Sequence, residues 1–197
     1  MYAFHVLFVS ILCWLFLKAV VAQAEGRVRD FSWLSQLFAL CLGLSFANHM
    51  MTVLLAPAFL YLCFAVNGWS RRAGIAIAKV VPLFLAGLIP YLYLPVRASE
   101  APLMNWGDPS TLGGLWRHLN AHTFRYQMFR SFENALQKLG GFFTAFPREF
   151  GYAPVILVVA GFVLLAKRSR RLFVFAGLLF LTCLFYTINY GFEDPNY

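Results

Sequence analysis

A chain of 197 residues that is 61% hydrophobic and only 12% charged lacks the polar side chains needed to clothe a water-soluble globule, so lipid must cover much of it. The formal net charge of +8 does not point to nucleic acid, because the basic residues come in short clusters between apolar runs and do not line one face. Cys13, Cys41, Cys63 and Cys183 each lie inside an apolar run with no second Cys at metal-ligand spacing, which indicates neither a disulfide frame nor a zinc site.

The first apolar run, Tyr2 to Ala24, ends in Ala22-Gln23-Ala24, a sequence that would suit signal peptidase. Its length matches a bilayer-spanning helix and its single Lys18 lies late, so a retained transmembrane helix is expected. The next run, Phe31 to Val66, would be about 54 Å long as one helix, against a hydrocarbon core of about 30 Å. It must break, and the polar pair Asn48-His49 divides it into two short antiparallel helices. Ile75 to Val96, Tyr152 to Ala166 and Leu172 to Tyr190 complete about six membrane segments. The expected fold is therefore an all-α, multi-pass transmembrane helical bundle.

Alternating the sides places Arg27 and Arg29, then Arg71, Arg72 and Lys79, then Lys167, Arg168, Arg170 and Arg171 on one face, which the positive-inside rule makes cytoplasmic. The other side then holds Asn48-His49, the long polar segment 97–151 and the tail from Gly191 to Tyr197. Within 97–151, Leu112, Leu115, Trp116 and Leu119 repeat at helical spacing, and Phe129, Phe132, Leu136, Leu139 and Phe143 continue such a stripe. These predict amphipathic helices lying in the membrane interface, with bends at Gly140-Gly141 and Pro147. A first helix that starts outside is unusual for a genuine N-terminus, and the abrupt end at Tyr197 agrees, so the sequence reads as an internal fragment.

Chemistry-bearing residues crowd between Arg97 and Thr111. Asp108 before Pro109 reads first as a helix N-cap with Pro at the opening helical position. Asp108 or Glu100 is also the candidate general base or acid, a carboxylate held near the membrane surface beside a substrate hydroxyl or phosphate. Arg97 and Arg125 fall where positive charge is depleted, so each is expected to need an anion, either a substrate phosphate gripped by its planar fork or an ordinary lipid headgroup. Trp106 could stack on a sugar or sit in the interfacial aromatic belt. His118 and His122, spaced i, i+4, form with Arg125 a polar helical face; no third ligand makes them a metal site, and no cofactor is assigned, a divalent metal being left open. Asn48 and His49 at membrane depth are expected to face a watery cavity, while His5 is expected at the interface.

The segments Gly43-Leu44-Ser45-Phe46-Ala47-Asn48-His49, Tyr91-Leu92-Tyr93-Leu94-Pro95-Val96-Arg97, Asn105-Trp106-Gly107-Asp108-Pro109, Asn189-Tyr190 and Asp194-Pro195-Asn196-Tyr197 together resemble a bacterial family, long of unknown function, related to eukaryotic transmembrane protein O-mannosyltransferases. The resemblance implies a GT-C type glycosyltransferase of the bacterial inner membrane, with residues 1–197 part of one membrane domain. Such an enzyme takes a sugar from a polyprenyl-phosphate carrier and gives it to a protein or glycan hydroxyl outside the cytoplasm. It also implies that the main catalytic acid lies in an outer loop upstream of Met1, so that this chain alone is inactive. Carried onto this sequence, the candidates are Asp108 as a catalytic carboxylate, with Asn48, His49, Arg97, Glu100, Asn105, Trp106, His118, His122, Arg125 and Asp194 toward substrate. Two other classes compete: a transporter built on broken helices, and a non-catalytic membrane scaffold.

Overall fold

The computed structural model describes residues 2–105, 107–120 and 122–191. Two of the residues singled out by sequence, Trp106 and Asp194, lie outside this set. Nine α-helices succeed one another among the described residues: α1 (Tyr2–Ala24), α2 (Val28–Asn48), α3 (Ala56–Asn67), α4 (Arg71–Gly87), α5 (Tyr93–Ser99), α6 (Leu112–Leu119), α7 (Phe132–Phe150), α8 (Tyr152–Arg168) and α9 (Arg170–Asn189). An isolated antiparallel bridge between Met128 and Tyr190 is the extended pairing seen among them.

The break at Asn48-His49 forms as the polar pair predicts. His49 is extended, with φ −157° and ψ 122°, and the next six residues, Met50–Leu55, wind as a 3₁₀ turn that leads into α3. Pro57 then occupies the first turn of α3, where a missing N–H costs nothing. Among the described residues, four stretches are long and apolar enough to span a membrane unaided, namely Ala3–Ala24, Val28–Asn48, Met50–Asn67 and Arg170–Asn189. Two bent pairs, Ala73–Gly87 with Ile89–Ser99 and Phe132–Phe150 with Tyr152–Arg168, raise the total to as many as 6.

Both bent pairs depart from the sequence pattern in an instructive way. The single helix expected from Ile75 to Val96 bends by 40° around a 3₁₀ turn at Ile89–Leu92, because Pro90 removes a donor there. In α7 the expected bends are missing, and the helix runs through Gly140, Gly141 and Pro147. A Gly pair lowers helix propensity but deletes no hydrogen bond, and the rings of Phe142, Phe146 and Phe150 stack along that face at 5.5 Å and 5.1 Å. The chain turns instead at Gly151, whose φ of 80° suits glycine, so that α8 leaves α7 at 114°.

Side chains of α1, α3 and α9 make the core, in which Leu12, Leu55, Ala58, Phe59, Leu62 and Phe175 are buried together. Phe59 sits at its centre, with the rings of Phe16 at 4.8 Å, Phe38 at 5.1 Å and Phe175 at 5.8 Å. In lipid such contacts stabilise through dispersion and fit, since no water is displaced. On the other flank α2 meets α4 backbone to backbone: a Cβ at Gly43 would lie 2.2 Å from the Phe84 carbonyl oxygen and 2.8 Å from the Gly87 Cα. Only two glycines permit that approach.

Polar contacts mark the two ends of the bundle. At one end the side chains of Gln23 and Asn67 hydrogen-bond, close to the basic residues that follow α1 and α3. At the opposite end His5 of α1 meets His49, with ring centroids 4.9 Å apart. Lys79, grouped by sequence with the basic connection, lies well inside α4.

Candidate functional site

Most of the described residues singled out by sequence fall into three local groups, with His122 and Arg125 on a separate turn. The first is the tip after α2. His49 accepts the Met51 amide on Nδ1 at 3.2 Å, so the proton of its neutral ring sits on Nε2. Burial holds its pKa below the ordinary histidine value, which favours that neutral form. The Thr52 hydroxyl donates to the His49 carbonyl at 2.9 Å, which leaves Ser45 as donor in the buried 2.7 Å contact between the two hydroxyls. Tyr91 donates its phenol to the Phe46 carbonyl at 2.6 Å and ties the tip to the bend before α5. Asn48 is exposed. His5, expected only at the interface, joins this group, and its Nδ1 is buried with no hydrogen-bond partner among the described residues.

The second group is Arg97 with Glu100. They form an ion pair one helical turn apart at the end of α5, both about half exposed. The anion that an outer Arg was expected to require is therefore supplied three residues along the same chain. An exposed pair of this kind contributes about 0–1 kcal/mol and exchanges easily.

The third group surrounds Asp108. Asp108 does not cap α6. Thr111 takes that position and accepts the Gly114 amide on Oγ1 at 3.0 Å. The turn between them places Gly107 at φ 74° and Asp108 at φ 39°, both left-handed. This conformation turns the Asp108 carboxylate back toward its neighbours, where Oδ1 receives the Ser110 hydroxyl at 2.8 Å and the Asn105 amide at 3.0 Å. Those two bonds, first Ser110 and then Asn105, hold the carboxyl below the usual carboxylate range, helped by the field of Arg117. Such a group is ionised at neutral pH and accepts hydrogen bonds well, but it is a weak general base. His118 leans over the same turn, its Nδ1 lying 3.2 Å from where a Gly107 Cβ would stand.

The expected His118–His122 helical face does not form. Helix α6 ends at Leu119 and His122 opens a separate 3₁₀ turn, His122–Gln127, so the i, i+4 geometry is lost. Arg125 on that turn is exposed and donates from Nε to the Asn120 carbonyl at 3.3 Å. Among the described residues no three His, Cys, Asp or Glu side chains gather for a metal. The bonds described for each group stay within it.

Beyond these groups, the segment that follows α6 fastens itself to the end of α9. Phe129 N–H donates to the Asn189 carbonyl at 2.9 Å, Gly191 N–H to the Gln127 carbonyl at 2.7 Å, and the Lys138 ammonium to the Tyr190 carbonyl at 2.6 Å. The motif Asn189-Tyr190 thus has a mechanical part that its residue types did not reveal.

The family described as the protein O-mannosyl-transferase TMEM260 N-terminal domain matches residues 1–72, which run from α1 into the start of α4. Protein O-mannosyl-transferase TMEM260 of Mus musculus is 25% identical over 194 residues, covering 91% of this chain and 26% of that protein. This chain is related to a eukaryotic protein O-mannosyl-transferase. It spans about a quarter of the length of that relative, 26%. No solved structure matches it.

Sequence reasoning missed His5, Tyr91 and the Ser45–Thr52 pair as members of the tip. Tyr91 stood in a motif that was noticed, whereas His5 meets His49 only because α1 and the tip end side by side.

Proposed function

We propose that this chain forms part of a membrane glycosyltransferase that moves a sugar from a polyprenyl-phosphate donor to a protein or glycan hydroxyl on the non-cytoplasmic face, in the manner of GT-C enzymes. One observation carries the proposal: the Asp108 carboxylate, held by hydrogen bonds from Asn105 and Ser110, in a chain related to an O-mannosyl-transferase. Transfer requires the acceptor oxygen to form a bond to the sugar's anomeric carbon while the bond from that carbon to the phosphate oxygen breaks. The phosphate departs with the electron pair, and the hydroxyl proton passes to a base or to the departing phosphate. Asp108 suits the orienting part, accepting the hydroxyl hydrogen bond and aiming its lone pair. Arg97 and Arg125 suit the phosphate, Arg97 exchanging Glu100 for it. The bilayer holds the carrier tail, and an outward face follows when the basic clusters after α1, α3 and α8 are cytoplasmic.

The test is transfer in membranes that hold the complete enzyme of which this chain is proposed to form part, supplied with polyprenyl-phosphate mannose and an acceptor peptide. Asp108→Asn and Arg97→Ala should each lower it by about 10²-fold or more with unchanged protein level. Wild-type transfer in both variants would remove these residues from the mechanism. The two bent pairs favour a second reading, a transporter with broken spans. It predicts substrate flux in proteoliposomes that lack any sugar donor, which the first reading does not.

A further inference from the structure

The Asp108 turn makes one contact with the rest of the fold that admits no side chain at all. A methyl group at Gly114 would lie 2.1 Å from the Asp108 carbonyl oxygen and 3.2 Å from its carbonyl carbon. Both are backbone atoms, and neither can swing aside as a side chain would. Gly114 is buried in the first turn of α6, while Gly113 beside it is exposed and would meet nothing within 4 Å. The two glycines share a helix turn, and only Gly114 is buried against the Asp108 backbone.

We infer that Gly114 is the seat on which the Asp108 turn rests, a positioning residue that fixes where the Asp108 carboxylate stands between Asn105 and Ser110. The turn needs such a seat. Asp108 lies in the left-handed region at φ 39°, which Asp tolerates better than most residues but still at a cost that favourable surroundings offset. From the other side, the Thr111 cap bonds the Gly114 amide, so one residue receives the turn twice, through its amide and through its bare Cα. A Cβ at Gly114 would lift the Asp108 backbone, and Oδ1 would lose its geometry with Ser110 at 2.8 Å and Asn105 at 3.0 Å. In the proposed transfer, on which this role of Asp108 rests, the hydroxyl would then be aimed badly while donor binding continued.

The experiment compares Gly114→Ala with Gly113→Ala in the protein in its membrane, using carbodiimide labelling across a pH series with the labelled carboxylates located by mass spectrometry. Carbodiimide takes the protonated carboxyl, so the pH at which Asp108 begins to label reports the bonds that keep it ionised. In Gly114→Ala that onset should move to higher pH, and in Gly113→Ala it should stay with the wild type, while Glu133 in α7 labels alike in all three. An unchanged onset in Gly114→Ala overturns the inference, and so does an equal shift in both variants. Failure of Gly114→Ala to insert where Gly113→Ala inserts also overturns it, leaving Gly114 a purely structural part. In the transfer assay, Gly114→Ala should lower kcat at least tenfold with little change in donor KM. Absence of transfer by the complete wild-type enzyme would sink the glycosyltransferase reading and leave the labelling comparison standing.

Discussion

The aromatic centre around Phe59 and the turn around Asp108 hold their residues by opposite means. Phe59 is fixed from several sides by rings on α1, α2 and α9, so removing one neighbour leaves the others in place. Asp108 is fixed by two hydrogen bonds, one helix cap and one glycine contact, all from residues within a short stretch of chain. Packing in the membrane is redundant and tolerant of small changes. The polar turn is economical, and any one loss should be felt there.

The largest effect should come from breaking the membrane side where it is not redundant. Gly43→Val forces α2 from α4 at a backbone contact and should cost about 3 kcal/mol, the upper end for overpacking; unfolding in mixed micelles followed by circular dichroism would show it. Next comes the clamp on α9. Lys138→Met removes the ammonium bond to the Tyr190 carbonyl and should cost about 1–3 kcal/mol, as charged hydrogen bonds do, seen as faster hydrogen exchange at Phe129 and Gly191. Thr111→Ala should cost about 1 kcal/mol through the lost cap, with exchange quickening at Gly114 and its neighbours and not in α7. The smallest effect is acid loosening of the Asp108 turn. Because the folded carboxyl titrates below its ordinary value, its bonds are fully present above that value and fade as pH falls through the lower, folded one. Pepsin cleavage between Asn105 and Thr111 should therefore rise only at the acid end of a pH series, and Asp108→Asn should flatten the rise.

Much of the fold could be read from the sequence because a membrane helix declares itself by length and hydropathy. The Asn48-His49 break had to exist, since no bilayer accommodates the run from Phe31 to Val66 as one helix. Bends were harder. Pro90 bent its span as a missing donor does, whereas α7 runs on through Gly140, Gly141 and Pro147, braced by its own Phe142, Phe146 and Phe150 and by the Phe180 ring of α9 at 6.0 Å from Phe142, a partner that periodicity along one helix does not show. At the site, residue types were legible and roles were not. Asp-Pro suggested a cap, and the true cap was Thr111, because Asp108 preferred partners two and three residues away. The His118–His122 spacing suggested one face, yet α6 stops between them at Leu119. Each of these outcomes turns on backbone conformation at one or two residues, which sequence pattern averages away.

The glycine crossing of α2 and α4 has a consequence for movement. Two backbones in contact leave no side chains between them to repack, so a scissor action about Gly43 and Gly87 is the relative motion expected to disturb the crossing least. The fulcrum is off centre, about 8 Å from the Asn48 end of α2 and about 22 Å from the Val28 end at 1.5 Å per residue. A displacement at Val28 would reach the histidine tip reversed in direction and reduced to roughly a third.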